Sequence, residues 1–309
     1  MVTTLCLNPS FDRTVTVPRL RVGGTNRISA ARTDAGGKGV NVLRTLVSLG
    51  CEARCVLVCG EDGGGRFLDM LRREGLDSAC SAVTVPGTLR TNTKVLSLAD
   101  QPLTELNEPG PCLGEEGAAR VLSLLREETR PGDLLVLTGS LPPKAPGELY
   151  TQIMQALPER RCVLDVGGAP LMDGLRGRPW LIKPNRDELE AAVGRELKDR
   201  EDILRAAEEL RTLGAERALV SLGGDGAVLL SPEGAWYAPA VRVEVRSTVG
   251  AGDTMLGGLL SACERGLGLR EAFRWSVAAA TASVTKAGTE RVSRGEAEAL
   301  LPRVTVEDL

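Results

Sequence analysis

The sequence predicts an α/β protein whose mostly parallel central sheet is covered by helices on both faces. Three observations predict it. Short uninterrupted apolar runs such as Leu134-Leu135-Val136-Leu137 have no polar side, so they read as strands buried on both faces. These runs alternate with segments whose apolar residues recur every three and four positions, the period of a helix face. Glycine and polar clusters follow one run after another, at the carboxyl ends of strands where such sheets bind ligands.

Residues 2–7 form a short apolar strand that stops at Asn8-Pro9, a turn signal. Residues 11–17 alternate and carry Asp12 and Arg13. Residues 26–33, with Arg27, alternate again after Gly23-Gly24. Two short strands with a polar face suit a flap better than a core. Ala35-Gly36-Gly37-Lys38-Gly39-Val40-Asn41 then opens a helix whose face is Val42, Leu43, Leu46, Val47 and Leu49. Glycines there let a ligand approach the backbone, and the Asn41 amide both donates and accepts, as sugar hydroxyls require. A plain loop is the other reading of that turn.

Cys51, Cys55 and Cys59 recur every fourth residue, as thiolates on a helix would, but 52–59 reads better as a buried strand with Cys as a small hydrophobe. Phe67, Leu68 and Leu71 mark a helix that ends near Gly75. Residues 83–85 lead into 88–98, where alternation puts Arg90, Asn92 and Lys94 on one strand face. A cation–amide–cation row suits a phosphorylated sugar; a solvated strand face is the plainer alternative. Residues 104–108 return as its partner. With 12–17 and 26–33 they make a small sheet apart from the main core.

The pattern is regular from Leu113 onward. A helix over 114–128 precedes the strand at 134–137, which ends at Thr138-Gly139-Ser140-Leu141-Pro142-Pro143. A helix at 150–157 follows, then a strand at 162–166 ending at Gly167-Gly168. The strand at 180–182 ends at Lys183-Pro184-Asn185-Arg186-Asp187-Glu188. Helices at 187–193 and 201–213 lead to a strand at 218–222, which ends at Gly223-Gly224-Asp225-Gly226. A hairpin over 227–231 and 236–239 comes next, and helices fill 254–265, 269–285 and 295–301.

The stretch that concentrates the chemistry is Ser247-Thr248-Val249-Gly250-Ala251-Gly252-Asp253-Thr254. Val241, Val243 and Val245 before it alternate like a strand; Met255, Leu256, Leu259, Leu260 and Cys263 after it have helical spacing. The helix is expected to start at Ala251 or Gly252. Its first N–H groups are then unpaired, at the positive end of the helix dipole, and an anion is the natural occupant. Asp253 stands in that first turn, where a carboxylate can take the proton of a hydroxyl attacking phosphorus. An acidic residue that merely compensates the dipole looks the same in sequence.

Composition narrows the chemistry. The chain of 309 residues has a formal net charge of -3, which gives no broad basic face for nucleic acid. No apolar run is long enough to cross a membrane, and no secretory leader is visible. Eight scattered cysteines without a CxxC pair fit a reducing cytoplasm. There is no histidine, which removes Ser-His and Cys-His nucleophiles and His-ligated zinc. Proton transfer falls to other side chains, which favours Asp253. P-loop, dinucleotide and protein-kinase signatures are missing from the sequence.

Gly36-Gly37-Lys38-Gly39-Val40-Asn41 and Ser247 through Asp253 resemble the two signatures of the PfkB, or ribokinase-like, carbohydrate kinases. Leu7-Asn8-Pro9, Leu141-Pro142-Pro143, Lys183-Pro184-Asn185 and Ser221-Leu222-Gly223-Gly224-Asp225-Gly226 match further, in the family's order and over nearly the whole chain. The opening Leu-Asn-Pro with Asp12, the Asn26-Arg27 pair and Gly-Gly-Lys-Gly resemble the phosphosugar branch, the 1-phosphofructokinases and tagatose-6-phosphate kinases. Ser247 departs from the family's usual Asn or Asp and is expected to tune the site.

The resemblance implies a ribokinase-like three-layer α/β sandwich, one kinase domain over 1–309, with a β-sheet lid formed by segments near 12–34 and 86–108. It implies ATP-dependent phosphorylation of a ketohexose monophosphate, with fructose 1-phosphate favoured over tagatose 6-phosphate and fructose 6-phosphate. Asp253 is then the base, and Gly250, Ala251 and Gly252 give the phosphoryl an anion hole. Asp12, Gly36, Gly37 and Asn41 hold sugar hydroxyls. Arg27, Lys38, Arg90 and Lys94, on the row with Asn92, face the sugar's phosphate. Lys183, Asn185, Ser221, Gly223, Gly226 and Thr248 serve the nucleotide, with adenine near 278–288. Asn185 and Glu188 organise Mg²⁺ through water. The helix dipole is expected to keep Asp253 ionised and weakly basic. A sugar-binding module without catalysis is the reading from another class, and it predicts the loss of Asp253, Asn185 or Glu188; all three are present. A homodimer through the lid and a cytoplasmic location complete the expectations.

Overall fold

The computed structural model describes residues 1–99, 103–288 and 290–309. Positions 100–102 of the expected 86–108 segment lie outside the described residues. The strands in chain order are β1 (Val2–Cys6), β2 (Ser10–Val17), β3 (Ala30–Gly36), β4 (Ala53–Asp62), β5 (Cys80–Thr88), β6 (Arg90–Ser97), β7 (Leu103–Asn107), β8 (Leu134–Thr138), β9 (Arg161–Asp165), β10 (Leu181–Ile182), β11 (Ala218–Ser221), β12 (Ala227–Ser231), β13 (Gly234–Ala238) and β14 (Glu307–Asp308). The helices are α1 (Lys38–Ser48), α2 (Gly64–Arg73), α3 (Gly114–Glu128), α4 (Leu149–Ala156), α5 (Ala169–Gly174), α6 (Arg186–Val193), α7 (Arg200–Thr212), α8 (Ala251–Glu264), α9 (Leu269–Val284) and α10 (Arg294–Leu300).

Ten strands form one sheet in the order β14-β13-β12-β11-β10-β9-β8-β1-β4-β5. From β5 to β11 every pairing is parallel; β12, β13 and β14 add an antiparallel edge. The uninterrupted apolar runs now have their reason. In β4, Cys55, Leu57 and Cys59 enter the core under α1, α8 and α9, while Val56 and Val58 enter the core under α3, α4 and α7. A strand buried on both faces has no side to leave polar, and each fully buried Leu or Val adds roughly 1.5–3 kcal/mol of burial. Among the described residues, no helix is long and apolar enough to cross a membrane.

A separate four-stranded sheet runs β3-β2-β6-β7. It has its own small apolar cluster of Val15, Val17 and Val95. Two readings are corrected. The strand expected at 26–33 runs instead from Ala30 to Gly36, reaching into the glycine turn. The Asn26 side chain bonds the backbone of Arg21 and Gly24, which folds residues 21–26 into a loop. The alternating Val241, Val243 and Val245 form no strand, because the edge of β13 is already paired with β14, and Val245 is left exposed.

Candidate active site

The parallel strands β1, β8, β9, β10 and β11 bring their carboxyl ends to one side of the sheet, and the polar clusters meet there. Gly250 caps α8 with φ 77°, a backbone conformation that residues with a Cβ rarely adopt. Thr254 N–H donates to the Gly250 carbonyl at 2.8 Å and closes the first turn. Ala251 N–H donates to the Thr248 carbonyl at 3.2 Å, so this member of the expected anion hole is committed to the turn. The N–H groups of Gly250, Gly252 and Asp253 have no protein acceptor among the described residues. A Cβ on Gly252 would stand 3.3 Å from Lys183 Nζ, which places an ammonium beside these donors. Three free N–H groups, a helix N-terminus and a lysine make a seat for a highly charged anion.

Asp253 projects from that turn and is only 7% exposed. Asn41 Nδ2 donates to its Oδ2 at 2.8 Å, from α1. Its pKa is raised to about 6, by burial first and then by the negative charge of Asp165; the Asn41 hydrogen bond, Lys38 and Lys183 oppose the shift. The expectation of a weakly basic carboxyl at this helix start is therefore corrected: burial and the like charge of Asp165 instead raise it. A base poised near 6 suits proton abstraction near neutral pH.

Asp165, at the end of β9, is completely buried and is the hub of the charges. Its Oδ1 lies 3.2 Å from both Lys38 Nζ and Lys183 Nζ. Burial alone would raise this carboxyl, but Lys183 and Lys38 together hold it below the ordinary range. Lys38 also stands 3.7 Å from Glu188 Oε1. Glu188 Oε2 accepts from the Asn185 N–H at 2.9 Å, and Asn185 Oδ1 accepts from the Glu188 N–H at 2.7 Å, so the two residues form the capping box of α6. The Asn-x-x-Glu pair thus has a structural role of its own. Glu188 keeps one oxygen turned toward the lysine cluster.

On the other side lies the acidic end of the small sheet. Asp12 Oδ1 accepts from Ser10 Oγ at 2.6 Å and Oδ2 lies 3.4 Å from Lys94 Nζ; Asn92 Nδ2 donates to Ser10 Oγ at 3.2 Å. Lys94 is therefore paired with Asp12. A Cβ on Gly36 would fall 2.4–2.7 Å from the Asp12 carboxyl atoms, so any larger residue there must displace that carboxylate. Gly37, at φ 118°, caps α1 and starts the turn that carries Lys38 and Asn41. Arg90 Nε and Nη2 donate to the Asn8 carbonyl at 3.1 and 2.7 Å, which leaves Nη1 for a ligand. Arg27 stands exposed in the connection between β2 and β3 and makes no hydrogen bond with this cluster among the described residues.

The remaining residues border the other flank. Asn185 bridges Ser221 in parallel pairing, and Ser221 N–H donates to the Pro184 carbonyl at 3.2 Å. Gly223 and Gly226 have φ 58° and 94° and turn the chain between β11 and β12; a Cβ on Gly226 would fall 2.0 Å from the Ala238 carbonyl oxygen. The chain entering the turn 223–226 is thereby tied to Pro184 and Asn185, and Asp225 within it lies 3.4 Å from Arg186 Nη1. Thr248 is exposed beside the α8 turn, and Ser283 and Gly288, at the end of α9, line a small cavity with Val249 and Gly250.

Three site residues were not singled out in sequence: Asp165, Arg44 and Glu74. Asp165 ends the apolar run 162–164, and Arg44 sits among the buried residues of α1, so a charge set among apolar neighbours was the available signal.

A divalent cation fits this donor set in one way only. Glu188 Oε1, which faces Lys38, and Asn185 Oδ1 are hard donors, but no cluster of three or more metal-binding side chains exists among the described residues. Such a site suits an ion that keeps most of its waters and is held chiefly by nucleotide phosphates.

Comparison with known proteins agrees with this geometry. The sequence matches the pfkB family of carbohydrate kinases over residues 7–294. It is 35% identical to the 1-phosphofructokinase of Bacillus subtilis (strain 168), over 100% of both chains. It is 36% identical to the 1-phosphofructokinase of Rhodobacter capsulatus, over 100% of this chain and 98% of the other. The crystal structure of Escherichia coli phosphofructokinase-2 in complex with fructose-6-phosphate superimposes with a TM-score of 0.89 at 30% identity, over 98% of both chains.

Proposed function

This chain belongs to the pfkB family of carbohydrate kinases, and on that premise we propose that it transfers the γ-phosphoryl group of ATP to the 6-hydroxyl of fructose 1-phosphate. The observation that carries the reading is Asp253 itself: a carboxyl raised to about 6, in the first turn of a helix whose free N–H groups face the same space. The hydroxyl oxygen attacks the γ-phosphorus, the bond to the bridging oxygen of ADP breaks, and the hydroxyl proton passes to Asp253. Lys183 and the N–H groups of Gly250, Gly252 and Asp253 offset the charge on the transferring group. Asp12, Asn41 and Gly36 border the sugar, and Lys38 with Arg90 Nη1 supplies positive charge for its phosphate. Glu188 and Asn185 would hold a nucleotide-bound Mg²⁺ through water, and the ion would supply further charge neutralisation.

We assign Ser221, Gly223 and Gly226 to the nucleotide and the small sheet to a lid over the sugar. Exposed Val22, Ile28, Leu98, Leu103 and Leu106 give that sheet and its connections an apolar surface, which supports a homodimer formed through it. Eight free thiols support a cytoplasmic location. A coupled ADP-release assay with fructose 1-phosphate, fructose 6-phosphate and tagatose 6-phosphate side by side tests the assignment. The expected result is the highest kcat/KM for fructose 1-phosphate; preference for either of the others overturns the substrate, and no release with any of them overturns the activity.

A further inference from the structure

Behind Asn41 lies a chain of polar contacts, running from a buried arginine to the surface, that phosphoryl transfer as described does not use. Arg44 is one turn further along α1 and is 6% exposed. Its Nη1 donates to Asn41 Oδ1 at 2.9 Å. Its Nε and Nη2 form a fork onto Glu74 at 2.7 and 2.9 Å, and Nη2 also donates to the Ala35 carbonyl at 2.5 Å. Glu74, just past the end of α2, is held in turn by Arg291, whose Nη2 donates to its carbonyl at 2.7 Å and its Oε2 at 3.1 Å.

An amide has a donating end and an accepting end, and its surroundings decide which faces a neighbour. Asn41 stands between a guanidinium, which only donates, and a carboxylate, which only accepts. With Arg44 on its oxygen, its nitrogen is left for Asp253. We propose that Arg44 is a positioning residue for the proton-accepting carboxylate: it fixes the Asn41 amide so that the nitrogen, not the oxygen, faces Asp253, and it ties that orientation to the glycine turn through Ala35. The inference rests on Asp253 being the base. Glu74 and Arg291 hold the guanidinium, since a buried fork onto a carboxylate fixes the plane of both groups. The other charged groups facing Asp253 are Lys38 from the start of α1, Asp165 from the end of β9 and Lys183 from the end of β10. None of these three touches the Asn41 amide, so orienting it falls to Arg44.

The test is a double-mutant cycle of Arg44→Lys and Asn41→Ala. Lysine keeps a charge for Glu74 and fills most of the volume, so the fold is retained, but it lacks the planar fork. Arg44→Lys is expected to lower kcat about tenfold in the parent chain, with KM for ATP unchanged, and by less than about twofold in the Asn41→Ala background, where no amide remains to orient. Equal factors in both backgrounds mean that Arg44 acts on the fold in general, and overturn the proposal. Should the chain phosphorylate none of the sugar phosphates, the same cycle is read on the ¹³C titration of the Asp253 carboxyl. An upward shift caused by Arg44→Lys that vanishes in the Asn41→Ala background supports the proposal, and an equal shift or none overturns it. The kinase reading and the positioning role thus fail separately.

Discussion

Asp165 and Lys183 form an ion pair at 3.2 Å in which the carboxylate has no exposure to solvent, and the same oxygen holds Lys38. The pair keeps two ammonium groups at the mouth of the site while its own negative charge presses on Asp253. This sets the pH dependence. Asp253 must be unprotonated to accept a proton, so kcat is expected to fall as pH drops through about 6. In Asp165→Asn the like charge is gone, the Asp253 carboxyl loses its proton more readily, and the acid limb moves to lower pH. A pH–rate profile of both proteins checks the direction. A limb that stays in place or rises contradicts the assigned coupling.

Asp253→Asn keeps the shape of the turn and removes the base. Turnover is expected to drop roughly 100- to 10,000-fold, with the ATP dissociation constant by calorimetry changed less than about threefold. Near-normal turnover in this variant would remove Asp253 from the reaction.

Gly36→Ala puts a methyl group where the Asp12 carboxylate now sits, 2.4–2.7 Å away. Asp12 is anchored by Ser10 and Lys94, so it is displaced from a fixed position. KM for the sugar phosphate is expected to rise roughly tenfold or more, with KM for ATP unaffected. Steady-state kinetics with each substrate varied in turn separates the two.

Self-association is tested on the small sheet. Leu106 on β7 is 60% exposed. Leu106→Asp buries a charge in any interface formed through that sheet and is expected to turn a dimer into a monomer in light scattering. A parent chain that is already monomeric at micromolar concentration rules the dimer out.

Much of the fold was legible because periodicity is a local property. The apolar runs at 134–137 and 218–222 and the three-and-four spacing after Gly252 survive in β8, β11 and α8 with bounds shifted by only a few residues. The Val241–Val245 alternation misled because a strand also needs an unoccupied neighbour, and β14 had taken the place beside β13. Asp253, Asn41 and Lys38 were legible from their glycine turns. Asp165 and Arg44 were not, since their meaning lies in what they meet. Asp165 meets Lys38 across 127 residues of chain, and Asn41, which Arg44 holds, meets Asp253 across 212. Nothing in the spacing of neighbours records such an encounter. The raised Asp253 carboxyl follows from burial and from the charge of Asp165, neither of which the spacing around Asp253 records.

The position of β1 bears on how the molecule assembles. It precedes both of its partners in the sequence, yet it lies mid-sheet between β4 and β8, with Val2 matched to both Ala53 and Leu134. The side of this strand that faces β8 stays unpaired until residues 134–138 are in place. Refolding from denaturant is therefore expected to be slow and concentration-sensitive, since long-range parallel pairing forms late and an unpaired apolar strand sticks to its copies in the meantime.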